Sequence, residues 1–599
     1  MRGRAGRDSP SSDSLHTALA ESLLTPFIDA LPSARGEPLT AFSLGSAAAY
    51  SRLMIDSRSL ADDYLGFRQS TEALRLLRGG QTANLDRWDD LAPAAVTARQ
   101  NTLQGFADAA EELIVSAEAD DRILLETVAF TARSAARLLD WRVEHTLVNP
   151  AMGLHATLLT FIGRFSLVTA EQGVEYHTKL ERLPGLLRQV GSQLVASAEV
   201  GNVALTRHLL ASADSIDAYI AGPAGEADPL AVQAPPRELN EAEAAGWRAT
   251  SVDIVATTVR PAMAAYADTL RALADRGRPD DQAGWCHLDG GRQMYRDHVW
   301  AHTSVDLSPE EIHQIGLDVI ESLEAEYLQV AGPVLSLDEI SAIYTHLRDD
   351  ASMRYGHADD LVRDATTALA RAAEVAPSWF NSIPMSECIA AATPNGALAY
   401  YAPPEPTTGN PGRFYFNTAN LAAWSTYQIE AITFHEAIPG HHLQIAGFFE
   451  STTLHPAQIR FGINAYLEGW GLYTERLADE MGLYSSELAR VGMLAADSMR
   501  ACRLVVDTGI HALGWSRQQA IDYFVDHSPL SLALIEGEVD RYIGVPGQAL
   551  SYMIGRLEID AIRTEAAQRD DFDIKAFHDK ILRNGMITLP TLRRVVLDD

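Results

Sequence analysis

Two short segments of this chain hold residue types that can do chemistry together. The first reads Thr433-Phe434-His435-Glu436-Ala437-Ile438-Pro439-Gly440-His441-His442-Leu443-Gln444. The second reads Tyr466-Leu467-Glu468-Gly469-Trp470-Gly471-Leu472-Tyr473-Thr474-Glu475. Together they supply two imidazoles, a carboxylate able to act as a base, and a third carboxylate able to bind metal. Three protein ligands that leave one coordination position for water make a hydrolytic zinc site, and these segments contain that set.

The elements that must position these groups follow from local spacing. Residues 428–438 are expected to be helical, with Ile429, Ile432 and Phe434 on a buried face. In the usual motif, His-Glu-x-x-His, both histidines share one helical face. Here the position four beyond His435 is Pro439, which cannot bind metal and clashes with the carbonyl of residue 435. An unbroken helix would turn His441 about 120° from His435 and carry His442 about 10 Å along the axis. A shared ion therefore requires the backbone to kink or bulge at Ile438-Pro439-Gly440. His441 is the favoured second ligand, because Gly440 permits close backbone approach just before it. His442 is the alternative ligand, or else it stands behind the site or faces substrate.

Residues 464–480 are strong helix formers and should present Glu468 and Glu475 on one face. Glu468 is the natural third ligand. Glu475 could accept a hydrogen bond from a ligand histidine and fix its orientation. Glu436 is the expected general base. Taken singly, His435 reads as an ordinary core histidine and Glu475 as a solvated helix-face carboxylate; their combination carries the metal reading.

These residues resemble the bacterial family known as domain of unknown function 885, whose pattern is His-Glu-x-x-Pro-Gly-His-His followed by Glu-Gly-Trp-x-x-Tyr-x-Glu. The likeness extends to Arg541-Tyr542 and Pro546-Gly547-Gln548-Ala549-Leu550-Ser551-Tyr552, and covers most of the chain from about residue 20. More distantly, the arrangement is similar to thimet oligopeptidase, thermostable carboxypeptidases and aminopeptidase-like zinc enzymes. The resemblance implies a mainly α, clam-like zinc-peptidase fold with a deep cleft, one zinc ion per chain, and hydrolysis of peptide bonds. It also implies that Tyr552 donates to the developing oxyanion, with His511 and Tyr542 in reserve. The histidine spacing departs from the distant relatives, which leaves the second ligand open. Many family members are exported or lipid-anchored, but no cysteine stands near this N-terminus, so that feature is not carried over.

Arg503, Asp507 and His511 recur four apart in an otherwise apolar stretch. They form either an i,i+4 network or a stripe lining the cleft. In the second case Arg503, Arg541 or Arg413 could hold a substrate's terminal carboxylate by a bidentate contact. Two aromatic-rich stretches, 397–401 and 413–417, flank a proline- and glycine-rich loop and read as a hairpin. Such a strand, with Tyr400 as a candidate substrate contact, could pair with an extended peptide or merely cover the core.

The composition, 47% hydrophobic and 21% charged, is that of a soluble globular protein. A net charge of −32 argues against nucleic acid or anionic membrane as a partner. Three scattered cysteines, Cys286, Cys388 and Cys502, suggest no disulfide framework and a reducing, cytoplasmic setting. The basic start lacks the apolar run of a signal peptide. The longest apolar run, residues 151–163, is too short for a membrane span and reads as a buried helix. Residues 1–13 are expected to be a disordered tail. The remainder, 14–599, reads as one domain: an N-terminal helical lobe to about 220, a Pro/Gly/Ala-rich loop over 221–237, and a catalytic lobe from about 238. Ser308-Pro309-Glu310-Glu311 and Ser336-Leu337-Asp338-Glu339 read as capping boxes.

The expected function is zinc-dependent hydrolysis of short peptides. Two rivals stand beside it: an amide hydrolase maturing a specialised peptide metabolite, and a non-catalytic binding protein retaining the fold. The intact Glu436 argues against the second.

Overall fold

Apolar side chains at helical spacing build helices along most of the chain in the computed structural model, which describes residues 56–599 apart from 79–81, 141–147, 151, 394–397, 405–409 and 599. The expected disordered tail, 1–13, lies outside the described residues. The protein is mainly α with one small sheet, as the sequence pattern predicts.

Helices α1 (Ser57–Thr71), α2 (Pro93–Ile114) and α3 (Ala119–Asp140) enclose one apolar cluster. Phe461, from far along the chain, inserts into it and sets its ring 4.9 Å from that of Tyr64. A second cluster runs from Leu77 to Ala274. The proline-rich stretch crosses it, with Leu230 and Ala231 buried there. Beyond that stretch, α5 (Arg260–Ala274) packs back on α4 (Thr206–Ala221). The apolar run at 151–163 forms a short helix, Leu154–Phe161, with His155 buried. No helix among the described residues is long and apolar enough to cross a membrane.

The third and largest cluster draws residues from Ile123 to Val596, with α6 (Pro309–Leu335) among its helices, and includes Tyr552. The capping box predicted for α6 is present: Glu311 N–H donates to Ser308 Oγ at 3.2 Å, and Ser308 N–H donates to the Glu311 carboxylate at 2.8 Å. The second box is not formed. Ser336 takes a left-handed conformation (φ 58°) that closes α6, and α7 (Ile340–Asp349) starts after Glu339 without a side-chain cap. The competing signal was the end of α6, which runs through Pro333 as far as Leu335.

The hairpin is part of a three-stranded sheet of order β1-β3-β2. Strands β2 (Ala399–Ala402) and β3 (Gly412–Asn417) pair antiparallel, with Tyr400 opposite Tyr415. The additional strand, β1 (Cys388–Thr393), pairs parallel with β3.

Five helices frame the site: α8 (Ile429–Glu436), α9 (His441–Glu450), α10 (Asn464–Glu480), α11 (Glu487–His511) and α13 (Ser551–Ala566), with α12 (Leu532–Gly544) between the last two in sequence. Helix α10 packs on α13 and α8, while α11 packs on α6. Leu472 and Leu477 of α10 are fully buried, each contributing about 1.5–3 kcal/mol of apolar transfer. That packing holds a helix carrying Glu468 and Glu475 against the core.

Candidate metal centre

The predicted break at Pro439 is where α8 ends. Ala437 leaves helical geometry (φ −107°, ψ −113°), the Ile438–Pro439 peptide is cis, and α9 begins at His441. A Cβ on residue 440 would stand 1.9 Å from the His435 carbonyl oxygen, so only glycine lets the chain fold back this tightly. The carbonyls exposed by the break are satisfied by Trp470 of α10, whose Nε1–H donates to Pro439 O at 3.1 Å and Gly440 O at 3.3 Å. The second segment therefore braces the first.

This fold-back brings His435, His441 and Glu468 together, with one ligand-capable atom of each lying within 4.8 Å of the others. Glu468 Oε2 is 3.6 Å from His435 Nε2 and 3.5 Å from His441 Nε2. Tetrahedral zinc with bonds of about 2.0–2.1 Å needs neighbouring donors about 3.3 Å apart, so the donor set and its spacing suit that ion. His435 lies against Gly471, where a Cβ would meet its ring at 2.6 Å. Glu475, fully buried on the same face of α10 as Glu468, accepts from His435 Nδ1 at 2.8 Å. That bond leaves Nε2 directed at the shared point.

His442 is turned away. Its Nδ1 lies 2.8 Å from the Tyr401 hydroxyl and its Nε2 3.0 Å from the Ser386 carbonyl, so both ring nitrogens are engaged outside the triad. It ties α9 to β2 and to the segment leading into β1.

Burial opposes charge on His435, but hydrogen bonds to Glu468 and Glu475 outweigh it and push its pKa up to about 9. Burial likewise raises Glu468, yet the two histidines hold its carboxylate far below the usual range. Burial, reinforced by Glu468, raises Glu436 against the opposing pull of His435, His441 and Arg500.

Glu436 and the triad open on a cavity of about 120 Å³. Tyr552 of α13 lines it, its ring stacked 6.3 Å from that of His435. Burial and the Glu468 carboxylate hold its phenol protonated well past neutrality. Residues Leu398 to Tyr401 form another wall, with Tyr400 stacked on Tyr415 at 4.9 Å. Ile432, expected on the buried face, packs partly buried against the core and also lines this space.

The polar stripe on α11 divides. Arg503 reaches the cavity, but its Nε and Nη2 donate to Glu538 at 3.2 and 2.9 Å. Asp507 instead accepts from Tyr295 and from Gly547 N–H. His511 accepts from Trp285 N–H and donates to the Tyr542 carbonyl, with burial pushing its pKa down to about 3. Arg541 and Tyr542 converge on Glu538 behind the cavity wall. His511, Arg541, Tyr542 and Arg413 are not among the residues lining the cavity. His511, Arg541 and Tyr542 are instead drawn to structural partners: His511 to the Tyr542 carbonyl, and Arg541 and Tyr542 to Glu538.

Sequence reasoning missed Glu538 and Arg500, both cavity-lining. Arg500 had a readable signal, since it stands three residues before Arg503 and extends the same stripe by one turn. Glu538 had a weaker one: Arg541 and Tyr542 follow it at three and four residues in the same helix, whereas Arg503 reaches it from α11.

Burial raises the Glu538 pKa, but Arg541 and Arg503 outweigh it and hold the group down to about 2, against an ordinary 4.5. A depressed carboxylate stabilises the fold above its unfolded pKa. That contribution, about 3 kcal/mol, is lost as pH falls from 4.5 through 2. Glu538→Gln should therefore lower stability at pH 7 by about 3–5 kcal/mol, leaving two buried guanidiniums uncompensated. It should also flatten the acid limb of urea-unfolding stability. Wild-type stability at pH 7 would reject this role.

Among solved structures the fold is shared with a protein described as "the putative lipoprotein from Colwellia psychrerythraea". The TM-score is 0.81 at 23% identity, over 91% of this chain and 99% of that one. A "putative lipoprotein of unknown function from Shewanella oneidensis" gives 0.69 at 18% identity, over 90% and 100%. No curated protein matches. Residues 74–596 match the family described as "Bacterial protein of unknown function (DUF885)", and the chain belongs to that family.

Proposed function

We propose that this protein is a zinc-dependent hydrolase of peptide bonds in short peptides. One observation carries the reading: His435, His441 and Glu468 converge beside Glu436 at the wall of a single cavity. Zinc held by those three side chains would supply Lewis acidity toward the scissile carbonyl and activate a water molecule. Glu436 takes the proton from the attacking water and passes it to the leaving amine. Tyr552, a neutral phenol on the same cavity, donates to the oxyanion. Glu475 holds the His435 ring in place.

The cavity wall formed by β2, an outer strand of the sheet, supports an extended peptide as the occupant, because main-chain pairing along a strand is independent of side-chain identity. We read the surrounding helices as a clam-like body whose cleft admits short peptides and excludes folded proteins. The free thiols of Cys286, Cys388 and Cys502 support a reducing, cytoplasmic setting. The lipoprotein descriptions belong to the two structural neighbours.

Elemental analysis of purified protein should find about one zinc per chain, and a peptide library should be cleaved before but not after chelation, with cleavage restored by added zinc. Metal-free protein with undiminished cleavage would sink the proposal. Silence on the library with cleavage of one dedicated amide would move the assignment to a specialised-metabolite hydrolase.

A further inference from the structure

We infer that Arg500 receives the free carboxylate of the substrate, so that the site removes single residues from the C-terminus of a peptide. This rests on the hydrolase reading above and specifies the substrate class for the same cavity.

Arg500 and Arg503 lie one turn apart on α11 and both line the cavity, yet their bonding differs. Arg503 is largely committed: Glu538 takes two of its donors, Tyr542 accepts from Nε at 3.0 Å, and its face covers the Tyr552 ring at 4.5 Å, leaving Nη1 without a partner among the described residues. Arg500 is not. Its Nη1 donates to the carbonyl of Ala496 in its own helix at 3.3 Å, with a weak sulfur contact to Met499 at 3.9 Å. Its Nη2 holds only a long ion pair, 3.6 Å, with a Glu475 oxygen that already serves His435. The buried Nε has no partner among the described residues. A guanidinium offers five N–H donors in a planar fork that matches a carboxylate. One this buried, with its side chain only 13% exposed, is costly as a structural element and well suited to an incoming anion.

Placement identifies which anion. Arg500 lies 5.7 Å from the centre of the Tyr552 ring, which in turn stacks on His435. The guanidinium and the metal donors thus flank the same phenol. In an extended peptide the terminal carboxylate lies about 3.5 Å beyond the last peptide carbonyl, which is the reach this assignment requires. Its side chain would meet Trp424, Ile432, Met499, Leu530 and Leu534 on the apolar part of the cavity. In the reaction, water oxygen bonds to the last peptide carbonyl carbon and the C–N bond breaks. The water's proton reaches the leaving nitrogen through Glu436, and the products are a shortened peptide and a free amino acid.

The test uses zinc-loaded full-length protein and two probes, N-acetyl-phenylalanyl-leucine and its C-terminal amide. In Glu436→Gln protein, which should bind without turnover, calorimetry should find the acid bound about 10- to 100-fold tighter than the amide. Arg500→Gln in that background should erase the preference, and Arg500→Lys should restore part of it. Equal affinity for acid and amide, binding of neither, or a preference surviving Arg500→Gln would each overturn the inference. Unmutated protein separates the two readings. Equal cleavage of acid and amide rejects the carboxylate receptor and leaves the hydrolase. Selective binding of the acid without any cleavage leaves the receptor and rejects the hydrolase.

Discussion

Glu436→Gln is expected to retain about one equivalent of zinc and to lower the rate of peptide hydrolysis by about 10²- to 10⁴-fold, the scale of general-base removal. That corresponds to about 3–5 kcal/mol of transition-state stabilisation. The substitution is nearly isosteric, so it leaves the break at Pro439 and the packing of α8 untouched. Glu436 is not one of the three converging donors, which is why metal should stay. What changes is a single capacity: an amide cannot take a proton from water. The carboxylate is 9% exposed at the cavity wall, where water and substrate meet. Steady-state rates, zinc content and melting temperature measured on the same preparation check the result. An unchanged rate with zinc retained would remove the base role, and absence of activity in both proteins would favour a binding protein that kept the fold.

Most of what positions this site was legible because it is local. The span of α10 follows from its helix formers, and the seven-residue spacing of Glu468 and Glu475 puts them on one face whatever the tertiary context. The end of α8 follows from proline chemistry, because Pro439 cannot continue a helix that contains His435. What could not be read is where the chain goes after the break. His441 and His442 are adjacent, and the choice between them depends on Tyr401 and Ser386, distant in sequence, which capture the second ring. The same holds for β1. Its sequence, Cys-Ile-Ala-Ala-Ala-Thr, has weak strand propensity, and its pairing with β3 is parallel and non-local. The hairpin, joined by an adjacent loop, was readable; its third strand was not. On α11 the stripe was visible as a pattern, but whether each member faced the cavity or a buried partner depended on distant segments: Glu538 of α12 collects Arg503, while Tyr295 and Gly547 hold Asp507.

The adjacency of two histidines makes the sharpest remaining prediction a contrast between them. His435→Ala should leave less than about one tenth of an equivalent of zinc after dialysis and reduce peptide hydrolysis to background, and His441→Ala should do the same. His442→Asn should keep its zinc, although its ring is as deeply buried and lies on the first turn of the same helix. The reason is which atoms face the shared point. His435 and His441 present Nε2 to Glu468, while both nitrogens of His442 are held by Tyr401 and Ser386. Its loss should loosen β2 and weaken substrate binding, without touching the metal. Glu475→Gln should fall between these cases. It keeps an acceptor for His435 Nδ1 but loses the charge, which typically costs about 10- to 100-fold in metal affinity. His435→Ala also leaves the Glu475 carboxylate buried with Arg500 at 3.6 Å as its nearest cation, so some loss of stability should accompany the loss of zinc. Inductively coupled plasma analysis of the four variants, with activity on the same peptide, orders them. Zinc lost from His442→Asn but kept in His441→Ala would mean that the chain carries the other histidine to the metal, and the geometry argued for the break at Pro439 would fall with it.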